Sequence, residues 1–361
     1  MAQEASALSA RAGQRPTIEG EGPAGWLDDV RGEVDAHLSR YFDERRGINT
    51  RLLGRGEESI LIDAIAELTM RGGKRLRPAV LVAALSAVRP SRGVRDVLPA
   101  CASLELLQTY LLIHDDWMDG DTHRRGGPSV HARLRERDPQ NGDALAILAG
   151  DLGSALAWEL MLEAAFSSAR GRDVAATFAR IHQEVVLGQE MDLVGSTDVS
   201  RMHRLKTGSY SVAGPLRLGA LLGDASETQL RALERFGVPL GEAFQIRDDL
   251  LGTFGDEREM GKTIGGDLRV GKRTALIREL EESVPEAERG PVLRVLGRAA
   301  SDAEIEAARR ALIATGVRAR VEARLESLLD DACAALEGGD LSEPGVSMLA
   351  ELAGALTFRR S

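Results

Sequence analysis

At 361 residues and 43% hydrophobic content, the chain carries enough apolar side chain for a large buried core. Its formal net charge of −10 excludes the broad basic face of a nucleic-acid binder, though not a local basic pocket for a phosphorylated small molecule. Two cysteines without CxxC spacing, Cys101 and Cys333, read as buried, reduced thiols of a cytoplasmic protein. The N-terminus has no apolar stretch of signal-peptide kind, and no run is read as approaching the roughly 18 apolar residues of a membrane span, so no stable membrane insertion is expected.

In chain order, residues 1–24 are rich in Ala, Ser, Gly, Glu and Pro without periodicity and are expected to be disordered. Leu27, Val30, Val34, Leu38 and Tyr41 then recur at three- and four-residue spacing, which predicts an amphipathic helix, and "SILIDAIAELTM" follows the same rule. "PACASLELLQTYLLIH" is apolar nearly all round, as a central helix would be. "ALAILAGDLGSALAWELMLEAAF" and "TQLRALERFGVPLGEAFQIRDDLL" are of the same kind. Short Gly-, Pro- and Asn-bearing breaks separate them, and the longest irregular stretch is 252–274, with six glycines. With no sustained period-2 pattern, no tandem repeat and no linker, the prediction is an all-α fold: one large helical bundle around a central cavity.

Two acidic segments end apolar helices. In "LLIHDDWMDGDTHRRGG", Asp115 and Asp119 are i, i+4 and Asp116 and Asp119 are i, i+3, so one helix face carries several carboxylates. In "FQIRDDLLGTFGD", Asp248 and Asp249 repeat the arrangement, with Asp256 two turns on if the helix persists. Oxygen-only clusters of this kind suit Mg²⁺ bridged to phosphate. Cations alternate with them along the chain: Lys74, Arg75 and Arg77 in "RGGKRLRP", Arg124 and Arg125 in "THRRGGP", Lys206 beside Thr207 in "RLKTGS", and Lys262 and Lys272 each after a glycine. Such a series fits diphosphates gripped by Arg and Lys on one side and by metal on the other.

The ordered motifs "GGKRLRP", "ELLQTYLLIHDDWMDGDTHRRGGP", "KTG", "FQIRDDLLG" and "GKTIGGDLRVGKRT" resemble the trans-isoprenyl diphosphate synthases, the family of the farnesyl and geranylgeranyl diphosphate synthases. The resemblance spans about residues 30–355 and implies one synthase domain over 25–361, an all-helical bundle that is usually a homodimer. It implies three Mg²⁺, two at Asp115, Asp116 and Asp119 and one at Asp248 and Asp249. Lys74, Arg77, Gln108 and Arg125 match the positions that bind isopentenyl diphosphate. Arg124, Lys206, Thr207, Gln245, Lys262 and Lys272 match those of the allylic diphosphate, with Lys206, Thr207 and Gln245 nearest the chemistry. The implied reaction is head-to-tail (1'-4) condensation of the two diphosphates.

Two departures stand out. Gln108 replaces a histidine common in the family, and Gly252 replaces the third aspartate of the second motif. Tyr110, five residues before Asp115, stands where the family places an aromatic floor under the growing chain. Leu111 beside it is not aromatic, which favours a C20 over a C15 product. His114 and His131 have no ligand-spaced partner and read as packing residues, while Gln189 and Asp192 in "GQEMD" are candidates to line the cavity. Two other readings are weighed. A non-catalytic partner subunit would explain Gly252 and Gln108. A terpene cyclase would share the first acidic motif but lack "GGKRLRP".

Overall fold

The computed structural model describes residues 25–54, 59–196, 198–255 and 265–357; the extension 1–24, Asp256 and Lys262 lie outside the described residues. The chain runs through α1 (Gly25–Leu53), α2 (Ile60–Met70), α3 (Leu76–Val88) and α4 (Leu98–Asp119) into a hairpin of β1 (His123–Arg124) and β2 (Gly127–Pro128). It continues through α5 (Val130–Arg137), α6 (Gly142–Phe166), α7 (Gly171–Leu193) and α8 (Val199–His203), then a π-helical stretch at Arg204–Ala213 that passes into α9 (Gly214–Leu222). α10 (Glu227–Phe254), α11 (Gly266–Val270), α12 (Ala275–Ser283), α13 (Gly290–Leu293), α14 (Asp302–Ala314), α15 (Val317–Ala335) and α16 (Glu343–Thr357) complete it.

The all-α expectation holds, and the differences are local. The hairpin pairs His123 with Pro128 and Arg124 with Gly127, and two residues per strand are too few to register as periodicity. α10 opens on a capping box in which the Ser226 side chain accepts from Gln229 N–H, and it runs unbroken past Pro239.

α4 is the axis of the bundle. Every residue from Ala100 to Leu107 is buried, because α6, α3 and α5 cover it from different sides. Its one charge in that run, Glu105, is 2.5 Å from Arg75, which is also 2.7 Å from Asp35. Arg75 is therefore a buried structural cation, with the left-handed backbone of φ 48° that starts α3, and not one of the phosphate-facing series. Phe42, Phe178 and Phe236 anchor a contiguous apolar core that extends from α1 to Leu349 and Leu352 of α16.

The expectation about membrane-length segments is corrected. Two helical segments, Val94–Asp119 and Gly142–Phe166, are long and apolar enough to cross a bilayer by length and composition. The bundle buries 61% of the apolar window in the first and 44% in the second, so the same composition serves helix packing. On α6 the uncovered part is a stripe at helical spacing, with Leu148 51%, Leu162 37% and Phe166 86% exposed.

Candidate active site

α4 emerges from the core at the first acidic segment. Asp116 is fully buried, Asp115 half-buried and Asp119 exposed. Burial pushes the Asp116 carboxyl upward in pKa, and Arg124 opposes it, donating from Nε to Oδ1 at 2.7 Å and again from Nη2. Burial and then the neighbouring Asp115 raise Asp119 as well. Arg124 also lies 3.9 Å from Asp115 and 3.4 Å from Asp121.

Lys206 completes this end of the site. It stands in the π-helical stretch and reaches Asp115 at 3.3 Å and Asp192 at 2.5 Å. Burial opposes its charge, but the two carboxylates outweigh that and its pKa rises. The position depends on a close approach, since a Cβ on Gly188 of α7 would fall 2.3 Å from the Lys206 backbone nitrogen. Of the two candidates in "GQEMD", Asp192 thus joins the site by ion pair, and Gln189 lines the adjoining cavity.

The second acidic segment lies on α10. Asp248 is exposed as a residue, yet protein packed around it pushes its carboxyl pKa up to about 6, against the pull of Arg247. Asp249 is buried and already engaged: Oδ1 accepts from Gln245 Nε2 at 3.0 Å and Oδ2 from the Ala275 N–H at 2.8 Å. It therefore ties the start of α12 to α10. Lys272 lies 4.0 Å from Asp267. His203 is buried, and Lys272, Asp192, Arg278 and Lys206 all act on its ring.

A cavity of about 410 Å³ opens beside Asp115 and Lys206 and is lined by Tyr110, Leu111, Val185 and Tyr210. Two imidazoles stand edge-on to the Tyr110 ring, His114 at 5.0 Å and His182 at 5.2 Å, and Trp158 Nε1 donates to His182 Nδ1 at 3.3 Å. A wider groove of about 620 Å³ lies elsewhere, between α1, α2 and α5; its Arg46 and Asp63 pair at 2.7 Å, and it holds none of the acidic-motif residues.

Arg77 donates to Ser211 Oγ at 2.9 Å and lies 4.2 Å over the Tyr210 ring. Arg125, at φ 50°, donates to Gly72 O at 2.9 Å. Lys74 is exposed after Gly72 and Gly73, while Gln108, Thr207 and Gln245 are half-buried. Sequence reasoning does not single out Arg71, His182 or Asp267. Asp267 explains Gly252, because a Cβ at 252 would fall 2.1 Å from Asp267 Oδ2.

Among the described residues no three His, Cys, Asp or Glu side chains form a ready-made metal cage. Mg²⁺ does not need one, since it takes one or two carboxylates and completes its shell with water and phosphate. Asp115 and Asp119 share a helix face, and Asp116 Oδ2 is buried with no hydrogen-bond partner, so the donor set fits that ion.

Asp115 and Lys206 line a largely apolar cavity of the helical bundle, so charge and hydrocarbon-compatible surface adjoin there. Comparison with known proteins agrees. The polyprenyl synthetase family model matches residues 58–312. A short chain isoprenyl diphosphate synthase of Methanocaldococcus jannaschii is 34% identical over 271 residues, 73% of this chain and 76% of that one. A geranylgeranyl diphosphate synthase of Methanosarcina mazei is 34% identical over 298 residues, 80% of this chain and 85% of that one. The crystal structure of a geranylgeranyl pyrophosphate synthase from Corynebacterium glutamicum, complexed with isoprenyl diphosphate and magnesium, superposes with a TM-score of 0.79 at 29% identity, covering 94% of this chain and 100% of that one. The chain belongs to the polyprenyl synthetase family and is a prenyltransferase that elongates prenyl diphosphates.

Proposed function

We propose that this prenyltransferase condenses isopentenyl diphosphate head to tail with allylic diphosphates and releases geranylgeranyl diphosphate, the C20 product. The observation that carries this reading is the cavity that has Asp115 and Lys206 at its mouth and Tyr110 in its wall. The names of the M. mazei and C. glutamicum relatives support C20 over C15.

In this reading Arg124, Lys206, Lys262 and Lys272 hold the allylic diphosphate, and Lys74, Arg77, Gln108 and Arg125 hold isopentenyl diphosphate. Asp115, Asp116 and Asp119, and Asp248 with Asp249, would hold three Mg²⁺, which when bound would supply the positive charge that makes diphosphate a good leaving group. The allylic C1–O bond breaks, and Arg124 and Lys206 stabilise the departing diphosphate. Thr207 and Gln245 turn neutral dipoles toward the allylic cation, which they stabilise without trapping it. C4 of isopentenyl diphosphate then bonds to C1, and a proton from its C2 passes to the released diphosphate. Val185 and Leu111 keep water from the cation while the chain grows toward Tyr110.

The contiguous core supports one synthase domain over 25–361. A second copy of the chain is the proposed partner, giving a homodimer, with the exposed Leu148, Leu162 and Phe166 of α6, interspersed with Asp151 and Glu159, as candidate contacts. Cys101 is buried as expected, whereas Cys333 is exposed on α15; both are free, which suits a reducing cytoplasm.

The test is purified protein with Mg²⁺, isopentenyl diphosphate and each allylic diphosphate from C5 to C15, with products sized and the oligomer measured by light scattering. A C20 product from a dimer is expected. Absence of elongation by the lone protein overturns the reading in favour of a partner subunit, and release of a cyclic hydrocarbon would make it a cyclase.

A further inference from the structure

We propose that Arg71 is a positioning residue for the diphosphate site, acting by clamping the β1–β2 hairpin to the end of α2. The hairpin carries Arg124 and Arg125, so this inference rests on the proposed role of those two residues.

The hairpin cannot hold itself. It has two residues per strand, and an isolated two-stranded ribbon is marginal at best. Its turn also places Arg125 at φ 50°, a left-handed conformation that a non-glycine residue keeps only when its surroundings impose it.

Arg71 supplies that constraint. It is the C-cap residue that follows α2, and its side chain is 14% exposed. Nη1 donates to Pro128 O at 2.5 Å and to Arg124 O at 3.2 Å, one acceptor on each strand. Nη2 donates to Glu67 Oε1 at 2.7 Å, one helical turn back, which fixes the guanidinium itself. The hairpin returns the contact, since Arg125 donates to Gly72 O in the loop that follows Arg71. Lys74 and Arg77 continue from that loop, so the clamp locks two cationic segments together.

Gly127 is part of the device. A Cβ there would lie 2.9 Å from Arg71 Cζ and Nη1, so the guanidinium occupies the space that any larger residue would fill. Lysine cannot substitute, because three acceptors in different directions match a rigid planar fork and not a single ammonium.

The experiment compares wild type with Arg71→Ala, Arg71→Lys and Gly127→Ala. It measures KM for isopentenyl diphosphate and the allylic substrate, kcat, the melting temperature, and calorimetric affinity for pyrophosphate with Mg²⁺. All three variants are expected to raise KM and weaken pyrophosphate binding about tenfold, the size of one lost positioning interaction, with kcat changed less and the melting temperature held within a few degrees. A purely structural Arg71 would lower the melting temperature and active fraction and leave KM unchanged. KM and pyrophosphate affinity within about twofold of wild type in Gly127→Ala and in either folded Arg71 variant would overturn the clamp, as would full recovery by lysine. If wild type fails to elongate, the proposed function falls, and pyrophosphate binding still decides whether Arg71 orders the site.

Discussion

Gly252 and Asp267 share one space: a Cβ on Gly252 would sit 2.1 Å from Asp267 Oδ2. What reads in the sequence as a missing third aspartate on α10 is, in three dimensions, a gap filled by a carboxylate from α11. The missing carboxylate therefore gives little reason to regard the protein as an inactive partner subunit.

Gly252→Asp, which restores the family's usual residue, is accordingly expected to lower kcat/KM about tenfold or more by driving two carboxylates into one volume. Steady-state kinetics on the variant check this. Activity at or above wild type would count against the filled-gap account.

Tyr110→Ala is expected to lengthen the product. The ring is braced by His114 and His182, and its loss extends the cavity toward the layer formed by His182 and Trp158. The destabilisation should be up to about 3 kcal/mol, as for a large aromatic partly replaced by a void. Chromatographic sizing of products decides it, and an unchanged profile would sink the floor role.

Gly188→Ala should misplace Lys206. The added methyl would meet backbone, 2.3 Å from Lys206 N, so the π-helical stretch must move and not merely a side chain. A shift near 1 Å at a reacting group costs on the order of 100-fold, and a loss of that order in kcat with folding retained is expected. Circular dichroism and single-turnover kinetics together separate misplacement from unfolding.

His203 sets an acid limit on stability. Burial, with Lys272, Arg278 and Lys206 adding to it and Asp192 opposing, lowers its pKa from 6.5 to about 4. The folded form thus holds the ring neutral. Its contribution is fully present above pH 6.5 and is lost as pH falls through about 4, to a limit on the order of 3 kcal/mol. His203→Gln should flatten the fall of melting temperature between pH 6.5 and 4, and a slope equal to wild type would contradict this.

Much of the fold and the site is legible in the residues alone. Helical periodicity locates α1, α2, α4, α6 and α10, and i, i+4 spacing puts Asp115 and Asp119 on one face, because helix geometry is local and repeats along the chain. The hairpin, the π-helical stretch and the share of α6 that the bundle covers are not legible in that way. The first two are too short or too irregular to have a period, and the third depends on what covers the helix.

The residue types the chemistry needs, their order and the helices that carry them all follow from the amino-acid sequence. Which partner each charge meets is decided by the fold. Arg75 turns inward to Glu105, Asp249 is tied to Gln245 and Ala275, and Lys206 is set between Asp115 and Asp192. A charge takes its role from burial and from the partner it meets, and here those partners lie up to 91 residues away in the chain.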